Sequence, residues 1–257
     1  MRRTSINGVV YYQLEAPVWH HVTHAIFTRL GGVSRPPFDR LNLGHTVGDE
    51  LANVEENHRR ALAAVGVQRE QVVSPHQVHG IRVRAVRAAQ AGTIQPGTDG
   101  LITAAPGVAL LLRFADCVPL MMSDPVRGAV GVIHSGWRST VGNIAQGAVD
   151  VFVEQVGSRP EDLWAGIGPS IGPCCYEIGS ETVEEVQRVV HGSESLDRRA
   201  ATFYLDLPGL VERQLRAAGV VHVETAGLCT ACHTEEWFSH RAERGQTGRF
   251  GALVVLD

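Results

Sequence analysis

An uninterrupted series of strand-like segments in the middle of the chain constrains its fold more than any other feature. Between Ile81 and His134, short runs of apolar and β-branched residues are separated by turn residues, and no segment there has the periodicity of a helix. Folds in which strands and helices alternate strictly, such as the Rossmann fold or the α/β barrel, need a helix after each strand. The pattern therefore predicts a mixed sheet core, in one sheet or two, with helices on the outside.

Strands are predicted to outnumber helices along the whole chain. The predicted strands are residues 9–14, 23–28, 81–86, 108–113, 119–123, 129–134, 163–167, 222–224 and 252–256. The predicted helices are residues 49–65, 141–156, 181–190 and 207–218, and the last two have cap candidates in Ser180 and Asp206. Because 44% of the 257 residues are hydrophobic and no composition break marks a linker, we expect one α/β (α+β) domain over residues 1–257.

Charge and composition argue against several classes of function. A net charge of −4 without a basic block argues against a nucleic-acid partner. The longest apolar runs, such as residues 108–112 and 118–122, are far shorter than the roughly 20 residues of a membrane helix. No apolar segment of a secretory signal follows Met1, and five cysteines, an odd number, fit a reducing compartment. We therefore expect a cytoplasmic protein without a membrane partner, either a monomer or a homodimer.

Three metal-ligand residues lie in turn-flanked settings at the ends of predicted strands. Cys117 and His134 each lie where a strand meets a turn, and His79 precedes the strand-like run that begins at Ile81. Two imidazoles and one thiolate suit Zn²⁺, and three protein ligands leave a coordination position open, as in catalytic sites. Singly, each residue also fits an ordinary buried or surface position. The neighbouring glycines, Asp116 and Ser135 supply the turns and hydrogen-bond partners that metal ligands need.

Two other cysteine-containing segments resemble motifs without matching them. Residues 229–233 (CTACH) fit the pattern of covalent haem attachment, which we reject because that chemistry requires export, and a redox C-x-x-C reading lacks the βαβ start of thioredoxins. Residues 166–177 are rich in glycine, but Pro169 and Pro173 exclude the helix of a dinucleotide site. This loop serves either to place Cys174, Cys175 or Tyr176 against a substrate or only to shape the fold.

Two arginines lie in turns that could bind an anion. Arg138 follows the strand end at His134 and precedes a predicted helix, so that backbone N–H groups and the guanidinium point to the same place. Arg29 lies in the glycine turn of residues 28–34. Ordinary helix capping by Ser139 or Thr140 is the alternative for the first turn.

Seven motifs occur here in the order in which one known family carries them. They are TRLGGVS at 28–34, NLG at 42–44, QVHG at 77–80, ADC at 115–117, HSGWR at 134–138, GP at 168–169 through CCYE at 174–177, and FSHR at 238–241 with TGR at 247–249. Together they span nearly the whole chain. On these motifs the sequence resembles the YfiH/YlmD-type family, also called laccase-like multicopper polyphenol oxidases or purine nucleoside phosphorylases.

The resemblance implies a fold, a metal and a reaction. The implied fold is a single-domain mixed-sheet α-β-β-α sandwich, similar to cytotoxic-necrotizing-factor-like cysteine hydrolases. The implied cofactor is Zn²⁺, with copper less favoured, held by His79, Cys117 and His134. The implied function is that of a zinc-dependent purine nucleoside phosphorylase acting on adenosine, inosine and methylthioadenosine, with adenosine deaminase activity. Its small-molecule partners would be purine nucleosides and phosphate.

Site residues follow from the same motifs. The expected catalytic residues are Cys117, His134 and Arg138. The expected substrate- or phosphate-binding residues are Arg29, Asn42, Arg138, Cys175, His240 and Arg241. His76, three positions before His79, is either a fourth ligand or, as we favour, a residue that contacts a ligand or lies at the surface.

Three other functions compete with this one. A metal-free cysteine hydrolase or amidase would use Cys117 as nucleophile and His134 as base, with peptidoglycan precursors as substrates. A laccase needs several coppers, and the sequence lacks paired H-x-H motifs. A binding module with structural zinc would be expected to have four protein ligands rather than three.

Overall fold

Two large β-sheets form the centre of the computed structural model, which describes residues 1–189 and 195–257. Sheet 1 has seven strands, in the spatial order Arg2–Ile6 (β1), Val9–Gln13 (β2), Val22–Phe27 (β3), Phe250–Leu256 (β16), Ala109–Phe114 (β8), Val72–Pro75 (β4) and Ile94–Gln95 (β6). Sheet 2 has six, in the order His222–Thr225 (β15), Trp164–Ile167 (β11), Val118–Asp124 (β9), Ala129–Ser135 (β10), Gly100–Thr103 (β7) and Val83–Val86 (β5). A small sheet 3 contains Glu177–Ile178 (β12), Thr202–Leu205 (β14) and Leu196–Arg199 (β13).

The two large sheets pack face to face. Successive residues of a strand point to opposite faces, and in the central strands the residues on both faces are apolar. On β16, Ala252 and Val254 belong to the core between the sheets, whereas Leu253 and Val255 belong to the core on the opposite face of sheet 1. On β9, Met121 faces sheet 1 and its neighbours face outward. Strands that are apolar on both faces need a cover on each outer side.

Five α-helices lie in the described part of the chain, and they supply those covers. Their bounds are Leu51–Ala64 (α1), Trp137–Val141 (α2), Ile144–Val151 (α3), Ser180–Val189 (α4) and Leu207–Ala217 (α5). Helix α1 packs on sheet 1 through Ala61 and Leu62, and α3, α4 and α5 pack on sheet 2. The resulting layers are helix, sheet, sheet, helix, which confirms the predicted α-β-β-α fold with mixed sheets.

The predicted elements are found with small shifts, and one helix is divided. The helix predicted over 141–156 is interrupted by Gly142 and by Asn143, whose φ of 59° is left-handed. Asn143 instead caps α3, since its side chain accepts a hydrogen bond from the backbone N–H of Gln146. Beyond Val151 the chain continues in a wider turn to Val156.

The outcomes at the two predicted cap positions differ. Asp206 caps α5 as predicted, whereas Ser180 is already the first residue of α4. The predicted end of that helix, Val190, lies outside the described residues. Short strands that lack alternation, including β1, β4, β7 and the three of sheet 3, were not predicted. No helix in the described ranges is both long and apolar enough to span a bilayer.

The strand register of sheet 2 brings the predicted ligands together. On one side of β10, Ser135 pairs with Val118, so Cys117 lies one residue beyond the paired end of β9. On the other side, Ile133 pairs with Gly100, so His134 lies beside Asp99. The backbone N–H of His134 donates to the Asp99 carbonyl at 2.7 Å, which extends this pairing by one residue.

Candidate functional site

His79, Cys117 and His134 form one cluster at the end of sheet 2. The imidazole nitrogens and the thiol sulfur that could bind a metal lie within 4.8 Å of one another. His134 is buried at 3% exposure, Cys117 is half-buried and His79 is exposed. The cluster therefore has a buried side that fixes its geometry and an open side that a substrate can reach.

A buried carboxylate that sequence reasoning missed organises this cluster. Asp99 accepts a hydrogen bond from Nδ1 of His134 at 3.0 Å, which leaves Nε2 of that ring to face Cys117 and His79. The same carboxylate accepts hydrogen bonds from the backbone N–H groups of His79 at 2.9 Å and Gly80 at 2.8 Å. One side chain thus orients one ligand ring and holds the loop that carries another. In the sequence, Asp99 precedes a glycine and reads only as a turn residue.

Two residues at the cluster have backbone conformations that residues other than glycine rarely adopt. His79 has a φ of 56° and Asp116, next to Cys117, has a φ of 85°. Such strain persists only where surrounding contacts enforce it. Asp116 is enforced by hydrogen bonds from Thr230 Oγ1 at 2.7 Å and from the backbone N–H of Arg241 at 2.6 Å. Strained backbone beside two of the three ligands is typical of functional sites.

Gly136 leaves space that the cluster needs. A Cβ atom at this position would lie 3.0 Å from the Cys117 sulfur and 3.0 Å from Nδ1 of His79. Any larger residue would press on both donor atoms at once. The glycine in the HSGWR motif is therefore explained by close packing at the candidate metal centre.

Electrostatic coupling links the protonation of Cys117 and His134. Burial raises the pKa of the Cys117 thiol. The nearby His134 imidazole and hydrogen bonds from both histidines lower this pKa by more than burial raises it, to about 6. Burial lowers the pKa of His134, whereas the Cys117 thiolate and Asp99 raise it to about 9. The thiolate and the imidazolium therefore stabilise each other, and His134 must lose its proton before it can bind a metal. A thiolate with two imidazoles fits Zn²⁺, and copper ions also accept this donor set.

A cavity of about 550 Å³ opens above the cluster. It is lined by aromatic side chains, Phe114, Trp137 and Tyr176, and by cationic ones, Arg113, Arg138, Arg241 and Arg249. Its volume lies within the range of about 300–1,000 Å³ that small-molecule sites occupy. The combination suits a ligand with one flat apolar part and one anionic part.

The arginines of the cavity differ in how far their charges are already used. Arg138 stacks on the Trp137 ring at 4.3 Å, and none of the ion pairs within residues 1–189 and 195–257 includes it. Arg241 donates to the Glu177 carbonyl at 2.7 Å and lies over the Tyr176 ring. Arg113 and Arg249, which were not predicted as site residues, donate mainly to backbone carbonyls. Arg138 is therefore the arginine best placed to bind an incoming anion.

Other predicted site residues divide between the cavity wall and its support. His240 and Arg241 line the cavity as expected, and His76 lines it without joining the three-donor cluster. Asn42 lies behind the wall, where its Oδ1 accepts from the backbone N–H groups of Gly44 and Arg249. Asn42 therefore positions lining residues and has no surface of its own in the cavity.

Arg29 lies outside the cavity, contrary to its predicted role as a phosphate ligand. Its guanidinium is buried, donating to the carbonyls of Asp39 and Thr234 and pairing with Glu243 at 3.0 Å. It also lies over the Phe238 ring at 4.5 Å. These contacts use its charge to join distant segments of the chain. Cys175 does not line the cavity either, because its thiol turns toward three other cysteines.

Similar proteins carry names that refer to nucleosides. Purine nucleoside phosphorylase YlmD of Geobacillus stearothermophilus is 37% identical over 251 residues, which cover 93% of this chain and 92% of that protein. A purine nucleoside phosphorylase of Deinococcus radiodurans is 39% identical over 235 residues, covering 91% and 89%.

Solved structures show the same fold. The crystal structure of YlmD from Geobacillus stearothermophilus matches with a TM-score of 0.92 and 35% identity, covering 98% of this chain and 97% of the other. The structure of the hypothetical protein YfiH from Bacillus licheniformis matches with a TM-score of 0.91 and 32% identity over the same shares. Residues 23–257 match the family described as multi-copper polyphenol oxidoreductase laccase. The chain therefore belongs to this family, the YfiH family.

Proposed function

We propose that this protein is a zinc-dependent purine nucleoside phosphorylase of the cytoplasm that acts on adenosine, inosine and methylthioadenosine, with adenosine deaminase activity. The observation that carries the proposal is a three-donor His/Cys cluster at the base of a cavity that also presents aromatic rings and Arg138, which has no ion-pair partner in the described part of the chain. The names of the relatives support the reaction class. Five free cysteines fit the reducing conditions of the cytoplasm.

The aromatic side chains of the cavity would hold the purine. Trp137 and Tyr176, which are both half-buried, provide flat apolar surfaces on which a base can stack. Burial raises the pKa of the Tyr176 hydroxyl, so it remains protonated at neutral pH and can donate a hydrogen bond to the base. Specificity for purines would follow from the size of this apolar part.

The cationic side chains would hold phosphate beside the sugar. Arg138 and Arg241 are the proposed phosphate ligands, since guanidinium groups bind phosphate oxygens with charge-assisted hydrogen bonds. In phosphorolysis, a phosphate oxygen bonds to C1′ of the ribose while the bond from C1′ to the purine nitrogen breaks. The departing base takes up a proton, for which His240 on the cavity wall is the proposed donor.

The three-donor cluster, with its metal ion bound, would contribute to both reactions. When bound by His79, Cys117 and His134, zinc supplies Lewis-acid stabilisation of developing negative charge and activation of water. Asp99 keeps His134 in the orientation that presents Nε2 to the metal. Deamination would consume one water at C6 of adenosine and release ammonia. The half-closed cavity would limit the access of bulk water during phosphorolysis.

A direct assay tests the proposal. The purified protein, with its metal content measured, is incubated with adenosine, inosine or methylthioadenosine, with and without phosphate. We expect release of free base and a sugar 1-phosphate that depends on phosphate, and conversion of adenosine to inosine without it. Inhibition by a chelator and recovery with Zn²⁺ are also expected. A metal-loaded protein that leaves all three nucleosides intact contradicts the proposal.

A cysteine hydrolase or amidase is the second candidate, and one observation favours it. Cys117, His134 and Asp99 have the order of contacts of a nucleophile, its base and the carboxylate that orients the base. The lowered pKa of Cys117 suits a nucleophile. Peptidoglycan precursors are the substrates to test. Such an enzyme keeps its activity in the presence of a chelator and loses it on thiol alkylation, whereas the zinc enzyme loses activity with the chelator.

The name of the family refers to copper oxidation, which the donor sets do not favour. Within the described ranges, only one of the two Cys/His/acid clusters contains histidine. Multicopper oxidation needs several imidazole-rich copper sites close together. The cluster of His79, Cys117 and His134 can hold a single ion, so phosphorolysis explains the site better.

A further inference from the structure

Four of the five cysteines meet outside the cavity, at a place that the proposed reaction does not use. Cys174 and Cys175 come from the loop after β11, and Cys229 and Cys232 come from the turn after β15. The four sulfur atoms lie within 4.8 Å of one another. Cys175 and Cys229 are half-buried, and Cys174 and Cys232 are exposed. Two loops more than 50 residues apart in sequence thus bring all of their thiols to one point.

The distances between the sulfur atoms fit a shared ion. The Cys232 sulfur lies 3.5 Å from that of Cys174 and 3.4 Å from that of Cys175. Sulfur atoms around a tetrahedral zinc, each about 2.3 Å from the metal, are separated by about 3.8 Å. A disulfide would join two sulfurs at about 2.05 Å, which is much shorter than either of these distances. All five cysteines of this chain are free thiols in the structure.

Backbone contacts around the sulfurs resemble those of zinc-binding turns. Cys229 and Cys232 have the C-x-x-C spacing of many structural zinc sites. The backbone N–H of Gly172 donates to the Cys229 sulfur at 3.3 Å, and such bonds stabilise a thiolate that binds a metal. Arg199 donates to the carbonyl of Pro173, which places a positive charge near a site that would be anionic.

We propose that Cys174, Cys175, Cys229 and Cys232 bind a second zinc ion as a closed, structural tetrathiolate site. On binding, the thiols lose their protons and the four sulfurs complete a tetrahedron, which leaves no position for a substrate. This site does not depend on the nucleoside reaction. Its ligands are distinct from His79, Cys117 and His134.

The second zinc would fix the wall of the cavity from behind. Tyr176, which lines the cavity, directly follows Cys175. Thr230, which directly follows Cys229, donates to the carboxylate of Asp116 beside Cys117. The two loops are otherwise joined by a bridge between Ser170 and Cys229 and by the hydrogen bond from Thr230 to the Ser170 carbonyl. A metal shared by these loops would hold both sides of that junction together.

Metal counting in matched variants tests this proposal. The full-length protein is produced with zinc in the medium, desalted and analysed by elemental mass spectrometry. We expect two zinc ions per chain in the wild type, one in Cys232→Ser, one in Cys117→Ala and none in the double variant. A wild type with one zinc that Cys117→Ala removes overturns the proposal, as does a Cys232→Ser variant with the wild-type metal content.

A measurement on the unmodified chain covers the case in which Cys232→Ser fails to fold. Iodoacetamide is added to the native protein before and after treatment with a strong chelator, and the alkylated peptides are identified by mass spectrometry. We expect the exposed thiols of Cys174 and Cys232 to be protected in the zinc-loaded protein and alkylated after chelation. Rapid alkylation before chelation overturns the proposal. A mass lower by two or four hydrogens, which reports disulfides among these cysteines, also overturns it.

Discussion

The two cysteine-containing clusters differ in donors, support and access. The three-donor cluster of His79, Cys117 and His134 combines one thiol with two imidazoles, and a buried carboxylate, Asp99, orients one of those imidazoles. The thiol cluster contains only sulfur donors, and a backbone N–H group supports it. The first opens into a cavity of about 550 Å³, and none of the four cysteines of the second lines that cavity.

The number of donors and the support of each ligand are the features that suit one cluster to chemistry and the other to stability. Three donors leave a coordination position for a reacting group, whereas four donors close the metal. An imidazole ligand needs a partner that fixes its ring orientation, and Asp99, which has this role for His134, is itself fully buried. The comparison predicts that removing the two clusters has different consequences for activity and for stability.

Exchange of one thiol in each cluster is the strongest test of this division. We expect Cys117→Ala to lower phosphorolysis by about two to three orders of magnitude, the effect of losing a group that stabilises transition-state charge. We expect Cys232→Ser to lower thermal stability and to reduce activity far less, because its thiol does not line the cavity. Steady-state kinetics and thermal denaturation measure both. Equal losses of activity in the two variants would show that the division is wrong.

Asp99→Asn tests whether Asp99 supports metal binding by the three-donor cluster. Loss of a carboxylate that orients a ligand histidine typically lowers metal affinity or activity about 10–100-fold. We expect that loss in a zinc titration against a competing chelator, with the metal content of the thiol cluster unchanged. Asp124→Asn is the control, since this buried carboxylate accepts from backbone N–H groups of Val126 and Arg127 at the far end of β9. Similar losses in both variants would indicate a general effect on the fold.

Arg138→Ala tests whether Arg138 binds phosphate in the cavity above the three-donor cluster. We expect the KM for phosphate to rise about tenfold or more, since hydrogen bonds to charged groups contribute about 1.5–3 kcal/mol. The KM for the nucleoside should change much less. Arg29→Ala is the contrasting variant, because its buried contacts to Asp39 and Glu243 predict lower stability with an unchanged KM for phosphate. An unchanged KM for phosphate in Arg138→Ala assigns phosphate binding to another arginine.

Acid can release metal from either cluster by destabilising the fold as well as by protonating the ligands. The stability of the metal-free protein at acid pH measures the first of these effects, and His58 contributes to it. Burial lowers the pKa of His58 to about 4, from an ordinary value of about 6.5. The unfolded chain therefore binds a proton at a higher pH than the folded chain does. The stability that neutral His58 contributes is full above pH 6.5 and decreases as the pH falls toward 4.

His58→Gln should weaken the dependence of stability on pH. We expect this effect to be the smallest of the four. In urea denaturation of the metal-free protein, we expect stability to fall less between pH 6.5 and 4 than in the wild type. His20→Gln, at an exposed position, is the control and should keep the wild-type slope. An unchanged slope in His58→Gln would assign the acid sensitivity to other groups.

The sequence could predict elements whose pattern is local. Strands β3, β8, β10 and β16 are short apolar runs bounded by turn residues, and helices α1 and α5 carry apolar residues at helical spacing, so their positions were expected to within a few residues. Ligand residues at strand ends were likewise visible, because cysteine and histidine in glycine turns are distinctive. Short strands such as β4 and β6 depend on pairing with distant partners and carry no alternation of their own.

Arginine roles could not be predicted, because a guanidinium looks the same in either use. Arg29 and Arg138 both lie in glycine turns after strands, and both were expected to bind phosphate. Arg29 meets Glu243, which is more than 200 residues away in the chain, and is buried there. Arg138 stacks on its neighbour Trp137 and faces the cavity. Only the positions of distant partners distinguish the two.

By itself, the sequence determined the layered fold class, the family and the three Cys and His residues that meet in one cluster. These depend on residue types and on periodicity within short segments, which the chain carries locally. The tertiary structure alone decided that Asp99 supports His134, that Arg113 and Arg249 line the cavity, and that four cysteines from two loops share one point. The reason is physical, because strand register and loop packing set these contacts between segments far apart in the chain.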